Sequence, residues 1–522
     1  MKAWRLSPIG LGTVLHGFIA FATVGSFALI AASCSAPDAR GERPPGVTLP
    51  QSWSSPAQTA TTEATIEEGT GGGAVAEVTG EQTAEEAGEY MGAPAEEVWW
   101  SAADDTARAL VDEAVANNPD LARTGARLLA AVGTAELITA DGDVMASLGL
   151  GAARTKTNFI GFPFVAGVPV SRVSTYDLSL DISWEPDLWG RLAAGEQAAL
   201  SDVQAAAADL AAARLSLVGA TLNAWYGLLE AAAQRALAEE TLRTWNENAA
   251  LVDRRHRLGL RPALDRRTVA ANRAAAEARW VDRQRLEQEA ARSLEILLGR
   301  YPAAELAATD TFPSWAAPPE AGVPAELLHR RADLVAAEAR LRSAELRVDE
   351  ARADFYPRFT LTGSVGRRGQ HFSDVLDDDF SIWSLMGGVV QPLVDGGRRQ
   401  SRYDVMDAQA QEALSGFQSI LLAAMAEVES LLAAEIWLAD GEAALSEASH
   451  EADEALVLAQ QRYRSGLINL ITLLDAQRSS QQAASAWLGL RFARLRNRIL
   501  LHLALGGGFD VASLGPDNGA AS

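Results

Sequence analysis

The pattern that most restricts this chain is a duplication. From about Val98 onward one order of segments occurs twice. Each copy has an opening helix, two short alternating segments flanking a polar glycine-rich stretch, a long proline-free run, a turn and a returning helix. The opening helices are expected over 109–137 and 326–353, where Asn118-Pro119-Asp120-Leu121-Ala122 stands beside Arg330-Arg331-Ala332-Asp333-Leu334-Val335. The alternating segments fall at 143–152 and 176–184, then at 358–366 and 381–391. Proline is absent from 192–258 and from 399–465, where Ala, Leu, Glu, Gln and Arg dominate. Those are strong helix formers, and about 60 residues of helix extend about 90 Å. Ordinary globular helices are far shorter, and the alanine content lets neighbours approach closely, so the runs suit a coiled-coil-like wall. Returning helices are expected over 264–298 and 470–505.

The clearest strand is Tyr176-Asp177-Leu178-Ser179-Leu180-Asp181-Ile182-Ser183-Trp184. Apolar and polar residues alternate with period two, as a tilted strand of a membrane barrel requires. A half-buried strand of a soluble sheet reads the same way. Val144, Ala146, Leu148 and Leu150 repeat the alternation, as do Phe359, Leu361 and Val365, whereas the segment near Trp383 is apolar or small on both faces. Four strands cannot close a barrel, and an open edge in lipid leaves backbone groups unsatisfied. Strands in a membrane would therefore require at least two copies of the chain, since known bacterial barrels begin at about eight strands. Each strand pair ends in a turn that launches the long run, Glu185-Pro186-Asp187-Leu188-Trp189-Gly190-Arg191 or Gln391-Pro392-Leu393-Val394-Asp395-Gly396-Gly397-Arg398. Arg255-His256-Arg257-Leu258-Gly259-Leu260 and Arg462-Tyr463-Arg464-Ser465-Gly466-Leu467 close the long runs with capping chemistry. The fold class expected is mainly α, with a duplicated helical hairpin and strand pair.

Ahead of the repeats the chain is different. Lys2 and Arg5 precede an apolar stretch over 9–32, followed by Ala31-Ala32-Ser33-Cys34 with the sole cysteine. This resembles a bacterial lipoprotein signal of residues 1–33, cleaved before an acylated Cys34; an uncleaved membrane anchor is the competing reading. A single cysteine excludes an intramolecular disulfide and a thiolate metal cluster. Residues 34–97 are rich in Pro, Gly, Ser, Thr and Glu and read as an acidic flexible tether. The repeats take 98–310 and 311–510, and 511–522 form a tail. A net charge of -23 argues against nucleic acid as a partner. The six histidines are scattered, and no HExxH, CxxC or GxSxG pattern marks an enzyme.

Seven stretches, in order, carry a resemblance. They are Trp99-Trp100, Asn118-Pro119-Asp120-Leu121, Trp184 to Arg191, Phe355-Tyr356-Pro357-Arg358-Phe359-Thr360-Leu361-Thr362-Gly363, Gln391 to Arg398, Leu473-Leu474-Asp475-Ala476-Gln477-Arg478 and Ala504-Leu505-Gly506-Gly507-Gly508. Together they resemble the TolC family of outer-membrane efflux proteins, in the lipid-anchored NodT-like branch serving resistance-nodulation-division (RND) pumps. The resemblance implies a homotrimer with a shared twelve-stranded barrel in outer-membrane lipid and a periplasmic helical cylinder. It implies passive export of substrates delivered by an inner-membrane RND transporter through a periplasmic adaptor, and no enzyme activity. Cys34 would carry diacylglycerol and palmitate. Adaptor contact would fall at Gly259, Leu260, Gly466 and Leu467, and capping alone also explains the two glycines. A periplasmic gate would use Asp475, Ile471, Arg462 and Arg464, with Asp265 from the first copy; for Asp475 an ordinary solvated charge is the plainer alternative. Other readings are a lipid-anchored periplasmic enzyme, the adaptor itself, which would not duplicate a helix-and-strand-pair unit, and a coiled-coil adhesin, which would not fold back.

Overall fold

The computed structural model describes residues 50, 53–54, 104–158, 170–308, 322 and 324–507. The signal at 1–33, Cys34, most of the tether and the tail at 511–522 lie outside the described residues. The described chain is mainly helical with one antiparallel sheet. It forms two units. The strand unit takes Gly142–Ala193 and Val348–Asp407, and the helical unit takes the described parts of Pro44–Asp141, Ala194–Arg347 and Ala408–Ser522.

The first copy runs α1 (Asp105–Asn117), α2 (Pro119–Ala140), β1 (Met145–Asn158), β2 (Val170–Trp184), α3 (Arg191–Arg257) and α4 (Ala263–Leu297). The second runs α5 (Leu327–Arg330), α6 (Ala332–Ala353), β3 (Arg358–Gly369), β4 (Ser381–Val390), α7 (Arg398–Arg464) and α8 (Leu470–Ala504). The copies agree in length as well as order. α3 and α7 each have 67 residues, α4 and α8 each 35, and α2 and α6 each 22. At 1.5 Å per residue the longest pair extend about 100 Å.

Each opening helix is broken where one piece was expected. Pro119 disfavours helical backbone at Asn118, which sits at φ -70°, ψ 122°. The Asn118 side chain then caps α2, accepting from the N–H groups of Asp120 and Leu121 at 2.9 and 3.1 Å. The second copy has no proline there, yet it breaks at Arg331 with φ -97°, ψ 117°. The Arg331 guanidinium donates to Asp333 at 2.8 Å, to Glu427 at 2.8 Å and to the carbonyl of Ala504 at 3.0 Å. Three fixed acceptors hold in place what a proline does in the first copy.

The first strand pair is longer than the alternation of the sequence suggested, because Ala153 to Asn158 and Val170 to Thr175 remain paired in register. Backbone ladders need no apolar face, so pairing continues past the point where hydrophobic residues stop. The turn aspartates then start the long helices. Asp187 accepts from the N–H groups of Arg191 and Ala193 at 2.9 and 2.8 Å, and Asp395 from those of Gly397 and Arg399, each at 3.1 Å. Trp189 stacks on Tyr356 with centroids 5.1 Å apart and donates to the carbonyl of Pro357 at 2.8 Å.

The helical unit has three apolar clusters. One gathers Leu222, Tyr226 and Leu228 of α3 with Val111, Leu294 and Ile499. A second joins Leu327 and Leu334 to Leu421, Val428 and Leu501. The third packs Trp245, Val252 and Val269 with Tyr463, Leu470 and Leu473. Each buried aliphatic side chain stabilises by about 1.5–3 kcal/mol. Buried alanines at Ala198, Ala205, Ala208 and Ala232 account for the close approach of α3 to its neighbours. The tether reading needs one correction here. Trp53 is buried in the second cluster and donates to the carbonyl of Gly322 at 3.1 Å, while the Ser54 N–H donates to Glu429 at 2.5 Å. Composition marked the segment as solvated, but one indole offers enough apolar area to dock it locally.

Candidate functional site: a two-faced sheet and a paired helical tip

In the sheet, order β1-β2-β3-β4, every neighbouring pair is antiparallel. The register sorts the side chains by face. One cross-strand row reads Leu148, Leu180, Val365, Trp383, and the row beside it on the same face reads Ala146, Ile182, Gly363, Leu385. On the other face lie Ser147, Asp181, Ser364, Ser384, and next to them Gly149, Ser179, Gly366, Ile382. The polar face is tied together, for Ser179 donates to Asp181 at 2.8 Å. Ile382 and Met386 interrupt it, which is the weak alternation expected of the fourth strand.

The apolar face is not covered by the described residues. Leu148 is 74% exposed and Trp383 80%. From Trp184 to Tyr176 this face runs about 26 Å along the strand, or about 20 Å at a barrel tilt. That is close to the apolar band of a membrane barrel. A soluble sheet would cover such a face, so the membrane alternative fits the observed exposure. β1 and β4 each have a partner on one side only, so both edges of the sheet are open.

At the C-terminal ends of α3 and α7 the two capping turns repeat each other. Gly259 has φ +73° and Gly466 φ +77°, a backbone region that side chains other than glycine rarely adopt. Leu260 N–H donates back to Arg255 and Leu467 N–H to Arg462, both at 2.9 Å, while Gly259 and Gly466 donate to His256 and Tyr463. This is the Schellman arrangement in both copies. Leu260 and Leu467 are exposed.

The turns are clasped together by residues that the sequence did not single out. Arg255 of α3 donates to the carbonyls of Tyr463 and Arg464 at 3.4 and 3.1 Å. Its guanidinium lies 5.1 Å from the centroid of the buried Tyr463 ring, and that of Arg261 lies 5.4 Å away. Tyr463 therefore sits in a cation–π clasp made by the first copy's turn. The repeat comparison held the signal, because His256 and Tyr463 occupy matching positions and only the second is a full aromatic knob. Within the first copy's own hairpin, Asp253 pairs with Arg257 of α3 and with Arg266 of α4, the latter at 3.1 Å. The hydrogen bond from Arg257 lowers the Asp253 pKa below the ordinary carboxylate value.

The expected gate residues do not meet within one chain. Asp475 is exposed and faces Arg478 at 3.7 Å, and Asp265 pairs with Arg261 at 3.6 Å. Ile471, Arg462 and Arg464 are exposed. Among the described residues neither Arg462 nor Arg464 has a carboxylate partner. Thr472, one residue beyond Ile471, donates its N–H to Asn469 at 2.9 Å and so belongs to the α8 cap.

Comparison with known proteins agrees with both halves of this arrangement. The family model described as outer membrane efflux protein matches residues 110–300 and 323–507, one stretch for each copy. The chain is 32% identical over 407 residues to the outer membrane protein OprJ of Pseudomonas aeruginosa, covering 77% of this chain and 84% of that protein. It is 31% identical over 427 residues to the pyoverdine export outer membrane protein OpmQ of Pseudomonas putida, covering 80% and 89%. The solved structure of the outer-membrane channel OprN superposes with a TM-score of 0.73 at 28% identity, covering 79% of this chain and 92% of that one. The exposed apolar sheet face, the paired long helices and these matches lead to one conclusion: the chain belongs to the outer membrane efflux protein family and is an outer-membrane efflux channel component of the TolC type.

Proposed function

We propose that this channel acts as a homotrimer, docked to a periplasmic adaptor and an inner-membrane RND transporter, and passively conducts what that transporter delivers. The observation that carries the reading is the open four-stranded sheet with an uncovered apolar face. Three copies supply twelve strands, enough to close a barrel and leave no edge in lipid. The helices carry apolar side chains without cover in one chain, Leu129, Leu137 and Trp437 among them, and neighbouring copies supply that cover. Leu260 and Leu467 at the capped turns form the adaptor contact, with Gly259 and Gly466 holding the turns. Cys34 carries diacylglycerol and palmitate, adding a lipid anchor to the barrel.

Cells labelled with radioactive palmitate and then fractionated test the assembly and the anchor together. A labelled trimer in the outer membrane is expected, with the label lost in Cys34→Ala and the trimer kept. A monomer in the soluble fraction would end the duct reading.

The gate lies at the second copy's tip. Asp475 and Ile471 line it, while Arg462, Arg464 and Asp265 tie neighbouring helices across copies. Three Asp475 carboxylates converging on one axis repel each other and attract cations. Asp475→Ala is expected to raise single-channel conductance severalfold in planar bilayers and to reduce cation preference. Unchanged conductance and selectivity would remove Asp475 from the gate.

A further inference from the structure

The first strand pair outruns its apolar face, and its extension carries an unusual charge pattern. Residues 153–158 and 170–175 hold three cations, Arg154, Lys156 and Arg172, and no acid, in a chain whose net charge is -23. By the period of two they share the face of Leu148, Leu150, Leu178 and Leu180. Lys156 and Arg172 stand directly opposite each other in the register. Like charges placed directly opposite on an antiparallel pair destabilise it unless an anion lies between them. All three side chains are exposed, and among the described residues no ion pair or hydrogen bond engages them. Arg367, further down the same face beside Leu178, shows the contrast, since it pairs with Asp378.

We propose that Arg154, Lys156 and Arg172 bind the phosphate groups of phosphorylated lipids in the outer leaflet. The inference rests on the barrel reading above. The three lie at the hairpin end of the strands, opposite the ends that join the helices, so they face the outer leaflet when the helices are periplasmic. The apolar face ends at Tyr176 and Ala152, which are paired. Arg154 is two residues past that line and Lys156 and Arg172 are four past it, about 7 and 13 Å along the strand. After tilt, that matches the headgroup layer bordering the hydrocarbon core, and long basic side chains can bend back toward it. Three cations on one lipid-facing rim complement a doubly charged phosphate headgroup, and Arg presents a forked donor set that fits phosphate oxygens.

The test is native mass spectrometry of the full detergent-purified protein. It is incubated with a bis-phosphorylated glucosamine-disaccharide lipid, its dephosphorylated form, or phosphatidylethanolamine. The wild type is expected to retain the bis-phosphorylated lipid selectively. The variant Arg154→Gln/Lys156→Gln/Arg172→Gln is expected to bind it about hundredfold more weakly, while staying trimeric. Equal retention by a trimeric variant would overturn the proposal and leave the barrel standing. Dissociation of the variant trimer would also overturn it, assigning the cations to the acidic β3–β4 connection of an adjacent copy. Full displacement of the lipid by millimolar inorganic phosphate would reduce the site to a free-anion site and overturn it as well. A wild type that is itself monomeric would count against the duct reading as well as this one.

Discussion

Replacing Glu435 with alanine is expected to destabilise the helical unit by about 3–5 kcal/mol. Glu435 lies on α7 with 8% of its side chain exposed and is the shared acceptor for two guanidinium groups of α8. Arg494 reaches it at 3.0 Å and Arg498 at 2.9 Å, and the Asn497 amide donates to it at 3.4 Å. Arg494 keeps Glu442 at 2.9 Å, while Arg498, only 12% exposed, loses the Glu435 carboxylate that it shares with Arg494. One turn of helix separates the two cations, so the lost carboxylate also leaves them facing each other. Removing the acidic member of a buried network costs more than the network contributes, because both guanidinium groups stay largely desolvated with less negative charge beside them. The check is thermal unfolding of the purified protein followed by circular dichroism. Glu435→Gln, which keeps an acceptor but not the charge, should fall between. A melting curve unchanged in the alanine variant would show that the network contributes nothing to stability.

The second large effect concerns the clasp at the tip. Tyr463→Ala is expected to cost about 3–5 kcal/mol through the cavity it leaves among Val252, Leu470 and Leu473. It also removes the ring between Arg255 and Arg261, which then have no aromatic surface linking the two turns. Tyr463→Phe is expected to stay within about 1 kcal/mol of wild type, since the buried phenolic oxygen has no hydrogen-bond partner among the described residues. If the clasp helps hold the tip closed, the alanine variant also leaks, and the phenylalanine variant does not. Vancomycin sensitivity of intact cells reads the leak, because the compound enters poorly through a closed outer membrane. A leaking phenylalanine variant would assign the closure to the hydroxyl and not to the ring.

Much of the architecture was legible because its constraints are periodic. Proline-free runs bounded by Pro, Asp and Gly gave α3 and α7 to within a residue or two, and the alternation around Leu178 and Leu180 gave the face of β2. What stayed hidden depends on contacts distant in sequence. Nothing local marks Arg331 as a helix breaker, for the break is held by Glu427 and by the carbonyl of Ala504. Trp53 lies in a segment whose composition reads as solvated, and its burial depends on cluster partners on α7 that are far away in sequence. At the tip, glycine capping was readable from Gly259 and Gly466 alone, whereas the clasp needed both turns side by side. The proposed gate is a third case. Among the described residues Asp475 does not pair with Arg462 or Arg464, so nothing in one copy's sequence or contacts marks the three as a group.

The equal lengths of the duplicated helices carry an evolutionary consequence. A residue inserted into a helix shifts everything beyond it by about 1.5 Å and rotates it by about 100°. In α7 such a change would move its capped turn out of step with that of α3, and Tyr463 would leave the reach of Arg255. Descent can therefore rewrite the surfaces of α3 and α7 by substitution almost freely, while a change of length survives only when both copies accept it. Gains and losses of sequence should then collect at the connections, such as the segments between β1 and β2 and between α4 and α5. The reach of the duct behaves as a fixed inheritance, altered only in matched steps.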